Sequence, residues 1–129
     1  MKIKTSELQS AALDWAVAKC EGQTVIVANQ QTDCLIAESC VVAYDIDGFE
    51  YDYLPSVNWS VGGSIIDRID GFQLKDWLES KPESKWEAHI HNYDGDWIAF
   101  GPTLLIAAMR CYVVSKLGDE IEIPNELAK

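Results

Sequence analysis

Anion recognition is the chemistry that one segment of this chain could perform. The tripeptide Gly101-Pro102-Thr103 precedes an apolar run over residues 104–117. Thr103 is suited to cap a helix there, because its hydroxyl can accept a hydrogen bond from a first-turn amide. The other first-turn N–H groups could meet a phosphate or a carboxylate. No acidic residue lies between Trp97 and the end of this run, although the chain holds 21 Asp and Glu against 10 Lys and Arg.

The predicted helix carries one charge in mid-length, Arg110, seven residues after Thr103. Because the helix is apolar nearly all round, we expect it to be buried. A buried guanidinium needs an anion, which could be an Asp or Glu of the chain or a bound ligand. Two helical turns separate Thr103 from Arg110 by about 10 Å, so one ligand could touch both only if it were extended.

A second stretch, residues 53–66, carries no charge. It offers hydrogen-bonding side chains at Asn58 and Ser60, an aromatic ring at Trp59 and a pair of glycines at Gly62 and Gly63. Trp59 could stack on a ring, and the glycines would let backbone N–H groups approach a phosphate closely. The alternative is an ordered surface loop in which Trp59 is a buried anchor. Both interpretations place a loop here.

Metal binding is a third possibility, since His89 and His91 alternate on a predicted strand and Asp96 returns on the same side after a turn. Two imidazoles and a carboxylate are typical of a facial metal triad, although the spacing also fits an exposed polar strand face. The acidic residues at 45–52 lack the order of an EF-hand loop. No nucleophile motif, Walker loop or dinucleotide fingerprint occurs, so we assign no catalytic residue, cofactor or metal ligand.

Length and composition predict a single domain over residues 1–129 with one hydrophobic core. The net charge of −11 argues against direct nucleic-acid binding, which requires clustered Lys and Arg. No uncharged run reaches the roughly twenty residues of a membrane span, so we expect a cytoplasmic protein. The four cysteines lack the Cys-x-x-Cys spacing of structural zinc sites and are interpreted as small buried side chains.

The elements that would position these residues indicate an α+β fold. Its small antiparallel sheet of hairpins would pack against an N-terminal helix and a buried C-terminal helix. The N-terminal helix is predicted from Ser6, with Gln9 at capping-box spacing, to Glu21. A short helix is predicted over residues 73–79. Hairpins are predicted at Asp47-Gly48 and Asp94-Gly95.

The first hairpin would have one apolar and one acidic face. A two-residue turn at Asp47-Gly48 would place Tyr44 opposite Tyr51 on the apolar side. Three acids would then lie on the other side, at Asp45, Glu50 and Asp52. Such a face could serve a basic partner protein or could simply be solvated.

Three blocks of the sequence carry a family resemblance. They read Ala-Leu-Asp-Trp-Ala-Val-Ala-Lys-Cys at 12–20, Pro-Ser-Val-Asn-Trp-Ser-Val-Gly-Gly at 55–63 and Gly-Pro-Thr-Leu-Leu-Ile-Ala-Ala-Met-Arg-Cys-Tyr-Val at 101–113. Together they are similar to the NinX-like proteins, small accessory proteins of tailed phages and prophages. The resemblance implies a phage product acting in the infected bacterial cytoplasm, of the kind used against host defences, and implies no mechanism. Residues 72–96 match least.

Three functional hypotheses follow. The first is a non-catalytic binder that sequesters a small, nucleotide-derived anion between the segment at Asn58 and the helix start at Thr103. Trp59 or Trp97 would stack the base, and Arg110 or Arg68 would balance charge. The predicted site is Asn58, Trp59, Ser60, Gly62, Gly63, Trp97, Gly101, Thr103 and Arg110. The second is an acidic inhibitor of a basic host protein, and the third a metal-dependent enzyme; a homo-oligomer is possible in each case.

Overall fold

The computed structural model describes residues 1–29, 39–44, 46–77 and 81–127, with the side chains at 28, 29, 39, 40 and 126 left out. The predictions for Asp45, Cys34 and the Cys40 side chain therefore concern positions outside the described residues. Within these ranges, no helix is both long enough and apolar enough to cross a lipid bilayer.

The predicted α+β class is confirmed, with helices packed against small antiparallel sheets. The helices are α1 (Ser10–Glu21), α2 (Trp59–Asp67) and α3 (Leu104–Leu117). The strands are β1 (Lys2–Lys4), β2 (Val25–Asn29), β3 (Ser39–Tyr44), β4 (Glu50–Asp52), β5 (Phe72–Asp76), β6 (Trp86–Asn92), β7 (Gly95–Gly101) and β8 (Glu120–Glu122). They form three sheets of order β1-β8, β2-β3-β4 and β5-β6-β7.

Helix α3 is the centre of the core. Its buried residues lie on several sides of the helix, at Leu105, Ala107, Ala108, Met109, Cys111, Tyr112 and Val113. Helices α1 and α2 and the β5-β6-β7 sheet all contact it. A helix that is apolar nearly all round has to be covered in this way, because each uncovered apolar face would be in water.

The N-terminal helix starts later than predicted. Residues Thr5–Glu7 form a 3₁₀ turn, and α1 begins at Ser10 with Gln9 as an N-cap that makes no side-chain capping bond. The predicted capping box at Ser6 is therefore wrong. The segment instead closes the end of α3, because the Thr5 hydroxyl donates to the Gly118 carbonyl at 2.6 Å. This tertiary bond satisfies a carbonyl at the C-terminal end of α3.

The first hairpin has a different register from the predicted one. Tyr44 pairs with Glu50 and Ala43 with Tyr51, one residue away from the pairing expected for a two-residue turn. Gly48 has φ +86°, as in longer hairpin loops that place a glycine in the left-handed region. The shift puts Val41, Ala43 and Tyr53 on the buried side. Burial therefore selects the register, and the Asp-Gly pair is compatible with either loop.

Strands β5, β6 and β7 form the sheet under α3. Asn92 pairs with Gly95, so the turn between β6 and β7 is Tyr93-Asp94 and not Asp94-Gly95. The Asp94 amide donates to Asn92 Oδ1 at 2.9 Å and stabilises this turn. The helix predicted over 73–79 is also wrong in its described part, since Phe72–Asp76 is a strand paired with β6.

The charge-free stretch is largely helical, and the prediction of a loop is wrong. Asn58 is the N-cap of α2, and its Oδ1 accepts from the Ser60 amide at 2.9 Å. The Gly62 amide donates to the Asn58 carbonyl at 2.8 Å. Gly62 is buried where α2 meets α3, and a Cβ there would lie 2.3 Å from Pro55 O and 2.8 Å from Leu105 Cδ2. This glycine therefore permits close helix packing.

A buried carboxylate joins α1 to the segment before α2. Asp14 is only 2% exposed, and its Oδ1 accepts from the Ser56 amide at 2.9 Å. Burial raises the pKa of Asp14 from 3.8 to about 6, and the hydrogen bonds from Ser56 offset part of that rise. The charged form is thus disfavoured in the folded chain although it is hydrogen-bonded.

We expect Gly62→Ala to destabilise the protein by about 1–3 kcal/mol, because the Pro55 carbonyl would have to move. Gly63→Ala is the matched control, since its Cβ would meet only Trp59 Cε3 at 3.4 Å. Removing a helical glycine there should be neutral or stabilise by about 0.5–1 kcal/mol. Urea unfolding of both variants measures the difference. Equal effects would contradict the packing role of Gly62.

Asp14 should make stability fall as pH rises from about 4 to about 6, because the folded chain binds this proton more tightly than the unfolded chain. The raised pKa corresponds to roughly 3 kcal/mol over that interval. Asp14→Asn keeps an acceptor for the Ser56 amide and removes the titration. Its free energy of unfolding should change less between pH 4 and 7 than that of the wild type. Superimposable pH profiles would refute this assignment.

Candidate functional site

The start of α3 is capped as predicted, and the residue two positions before the cap packs against the helix. Thr103 Oγ1 accepts from the Ile106 amide at 3.2 Å, which confirms Thr103 as the N-cap. Gly101 is buried against the same turn, where a Cβ would lie 2.7 Å from the Ala107 nitrogen. The glycine thus lets the end of β7 lie directly against the helix. Anion binding at these amides stays a prediction.

The two parts of the predicted site meet as packed helices. Helix α2 contacts α3 where Gly62 lies against Leu105. Trp59, at the start of α2, is 56% exposed rather than buried as an anchor. Asn58, Ser60 and Gly63 belong to the same cap and helix. Their amides and carbonyls are thereby committed in part to helix hydrogen bonds, and a ligand-binding role for them stays a prediction.

Trp97 lies apart from Trp59, on β7. It lines a cavity of about 230 Å³ together with Arg68, Tyr112 and Lys116. Arg68 Nη2 contacts Glu21 Oε1 at 2.5 Å, and the Tyr112 hydroxyl donates to Glu21 Oε2 at 2.5 Å. Burial, followed by the hydrogen bond to Glu21, raises the pKa of Tyr112. Because Arg68 already has a carboxylate partner, this cavity is the weaker candidate for an anion.

Arg110 has a different environment. Its Nε donates to the Leu8 carbonyl at 2.7 Å and its Nη1 to the Phe100 carbonyl at 2.9 Å. Among the described residues, no carboxylate lies within ion-pairing distance of its guanidinium. Partial burial lowers the pKa of Arg110, which nevertheless stays protonated at neutral pH. The sequence suggested an acidic partner or a ligand, and the described partners are two backbone carbonyls.

Arg110 borders a cavity of about 650 Å³, which we call the Arg110 cavity. Its second cation is Lys4, and its apolar wall includes Ile98 and Phe100. Hydroxyl and amide groups come from Thr5, Ser6, Gln9 and Ser84. Acids also line it, at Glu7, Glu83, Asp119 and Glu120. The cavity therefore joins two cations to an apolar wall within an acidic rim.

Sequence reasoning identified Arg110 but missed the rest of this cavity. Lys4 and Gln9 come from the N-terminal segment, Ser84 from a short 3₁₀ turn and Phe100 from β7. These segments are far apart in the chain, so no short sequence motif could indicate that they line one cavity. Arg110, a charge in an otherwise apolar helix, was the one residue of the cavity that the sequence marked as functional.

The histidines converge as predicted. His91 pairs directly with Asp96 across β6 and β7, and His89 lies two residues earlier on the same face. His89 Nε2 contacts Asp96 Oδ1, and His91 Nδ1 lies 3.2 Å from the same oxygen. The hydrogen bond with His89 is the main cause that holds the pKa of Asp96 below its usual value. These three side chains could hold a metal ion.

Both described thiols are poorly suited to nucleophilic chemistry. Burial raises the pKa of Cys20 and of Cys111 to about 12, so the reactive thiolate is scarce at neutral pH. Cys111 is fully buried, and its Sγ donates to the Trp97 carbonyl at 3.3 Å. These two residues are consistent with packing roles.

The comparison with known families identifies the family of this chain. The family model described as Bacteriophage P22, NinX matches residues 4–116, so the chain belongs to this family. The match confirms the family predicted from the three sequence blocks and makes the chain a phage accessory protein. None of the curated proteins matches it.

Proposed function

We propose that this member of the NinX family sequesters a small anionic ligand, without catalysis, in the Arg110 cavity. The ligand would be nucleotide-derived, and the protein would act against a host defence in the cytoplasm of the infected bacterium. The observation that supports binding is the state of Arg110. Its positive charge is partly buried and, among the described residues, lacks a carboxylate partner.

An unneutralised guanidinium at a cavity wall favours an anion there. Its bonds to the Leu8 and Phe100 carbonyls fix the planar group but leave Nη2 without a hydrogen bond to a described residue. A phosphate or carboxylate oxygen could accept from it, and charge-assisted bonds of this kind are stronger than neutral ones. Lys4 adds a second positive charge on the same cavity. The helix start at Thr103 is not needed for this mode of binding.

The size and walls of the cavity suit a mononucleotide. Small-molecule pockets commonly span about 300–1,000 Å³, and the Arg110 cavity measures about 650 Å³. Phe100 is 44% exposed and provides the aromatic surface of this cavity, whereas Trp59 and Trp97, the predicted stacking residues, are not part of its lining. A base or sugar could lie against Phe100 and Ile98 while its phosphate faces Arg110.

The acids of the rim restrict the charge of the ligand. Glu7, Glu83, Asp119 and Glu120 would repel a polyanion, and the net charge of −11 would slow its approach. A ligand with one phosphate is therefore favoured over a triphosphate.

We expect a mononucleotide to raise the melting temperature of the protein, since a ligand that binds only the folded chain stabilises it. The panel is inorganic phosphate, AMP, cyclic AMP, a cyclic dinucleotide and ATP. Arg110→Gln should abolish the shift, and Arg68→Gln should preserve it because Arg68 lies on the other cavity. A shift that survives in Arg110→Gln would refute the proposed site.

A variant with increased affinity separates binding from folding defects. Glu120→Gln removes a rim acid and should tighten binding roughly two- to fivefold, as expected for a charge interaction of up to about 1 kcal/mol. Glu50→Gln is the control, because it removes the same charge from a different sheet. If no compound of the panel shifts the wild type, the proposal fails.

A second candidate function rests on the outer face of β2, β3 and β4. Glu50 and Asp52 are exposed there, beside Tyr44 and Ile26, which are 45% and 47% exposed. Apolar side chains flanked by acids could bind a basic protein, with the charges steering the encounter. Asp45, the third acid of the predicted face, lies outside the described residues.

For this candidate we expect a basic protein from host lysate to be retained by the wild type and lost by Glu50→Lys/Asp52→Lys. Asp76→Lys/Asp94→Lys is the matched control, with the same change of net charge at exposed positions on another sheet and its turn. Mass spectrometry of the retained proteins provides the measurement. Equal retention by both double variants would contradict a role for this face.

A further inference from the structure

Both histidines of the chain lie in one cluster. The sequence has two histidines in 129 residues, and both lie on β6 facing Asp96 of β7. Their candidate ligand atoms and a carboxylate oxygen of Asp96 all lie within 4.8 Å of one another. In the described part of the chain, this is the one group of three His, Cys, Asp or Glu residues that converges in this way.

The three side chains point at a common position. Asp96 Oδ1 is contacted by Nε2 of His89 and by Nδ1 of His91, the latter at 3.2 Å. The imidazole centroids are 5.9 Å apart and the rings are inclined at 55°, so the rings are not stacked on each other. The arrangement therefore brings two ring nitrogens and one oxygen together from a single hairpin.

Hydrogen bonds fix the two strands that carry these side chains. His91 and Asp96 form a cross-strand pair near the end of the β6–β7 hairpin. Asn92 accepts from the Asp94 amide at 2.9 Å and donates to the Asp70 carbonyl at 3.0 Å, which links the hairpin end to the turn before β5. Ligands on strands fixed in this way need little rearrangement on binding an ion.

We propose that His89 Nε2, His91 Nδ1 and Asp96 Oδ1 bind one divalent transition-metal ion of the zinc class. Zinc takes imidazole nitrogen and carboxylate oxygen at about 2.0–2.2 Å, usually in a tetrahedral set. Three protein ligands would leave the fourth position to water. Magnesium and calcium are disfavoured, because they prefer sites made of oxygen ligands.

Exposure and charge favour entry of a cation. His89 is 29% exposed, Asp96 55% and His91 72%, so an ion can reach the cluster from solvent. The net charge of −11 attracts cations to the surface. A bound ion would take the place of the contacts between Asp96 Oδ1 and the two imidazole nitrogens. Its ligands would then be two neutral imidazoles and an ionised carboxylate.

The test is titration of the EDTA-treated, dialysed protein with Zn²⁺ by calorimetry. We expect one equivalent to bind and the melting temperature to rise. His91→Gln and Asp96→Asn should each weaken binding by at least about tenfold, since even the loss of an outer-shell contact costs roughly 10–100-fold. Asp94→Asn is the charge-matched control, and a Cys34→Ser/Cys40→Ser variant tests whether these two thiols contribute. Both controls should keep wild-type affinity.

Two results would overturn the proposed metal site. One is the absence of Zn²⁺ binding to the wild type, and the other is wild-type affinity in both His91→Gln and Asp96→Asn. These positions are exposed, so circular dichroism and thermal melting should show a folded chain in each variant. With Co²⁺ in place of Zn²⁺, the visible spectrum of the wild type should differ from that of free Co²⁺. The spectrum of His91→Gln with Co²⁺ should match that of the free ion.

Discussion

The need to bury most of the surface of α3 organises the rest of this fold. Its apolar residues face α1, α2 and the β5-β6-β7 sheet, and glycines permit the closest approaches. Gly62 brings α2 against Leu105, and Gly101 brings the end of β7 against the first turn of α3. From the sequence, Gly62 suggests a backbone that a phosphate could approach closely. In the folded chain Gly62 and Gly101 lie where two elements touch, because close packing and close ligand approach both require a missing Cβ.

Arg110 follows from the same constraint. A charge on a buried helix must leave the core or find partners, and desolvation makes an unpartnered guanidinium costly. Its bonds to the Leu8 and Phe100 carbonyls satisfy hydrogen bonding but supply no negative charge. The difference between hydrogen-bond satisfaction and charge neutralisation is the basis for proposing an anion at the Arg110 cavity. Arg68 shows the contrasting case, since Glu21 supplies both.

The sequence predicted the elements with strong local signals and failed where distant contacts decide. The buried C-terminal helix, its Thr103 cap and the side of β7 that carries Asp96 are all confirmed. The first hairpin was misplaced by one residue, because an Asp-Gly pair fits two loop lengths and burial of Val41 and Ala43 selects between them. Asn58 was interpreted as a loop residue although it is a common helix cap. The Arg110 cavity could not be predicted, since its walls come from segments far apart in sequence.

The proposed metal site and the Arg110 cavity both include residues of β7, and this bears on the net charge of −11. His89 pairs across the strands with Ile98, and Ile98 lines the Arg110 cavity. A dication held by two neutral imidazoles and one carboxylate would leave one net positive charge beside that wall. Local potential depends on nearby charges more than on the total, because salt screens interactions beyond about 10 Å. An anion at Arg110 would therefore meet the four acids that line the cavity as well as Lys4, and a dication at the histidine cluster would offset part of that negative charge.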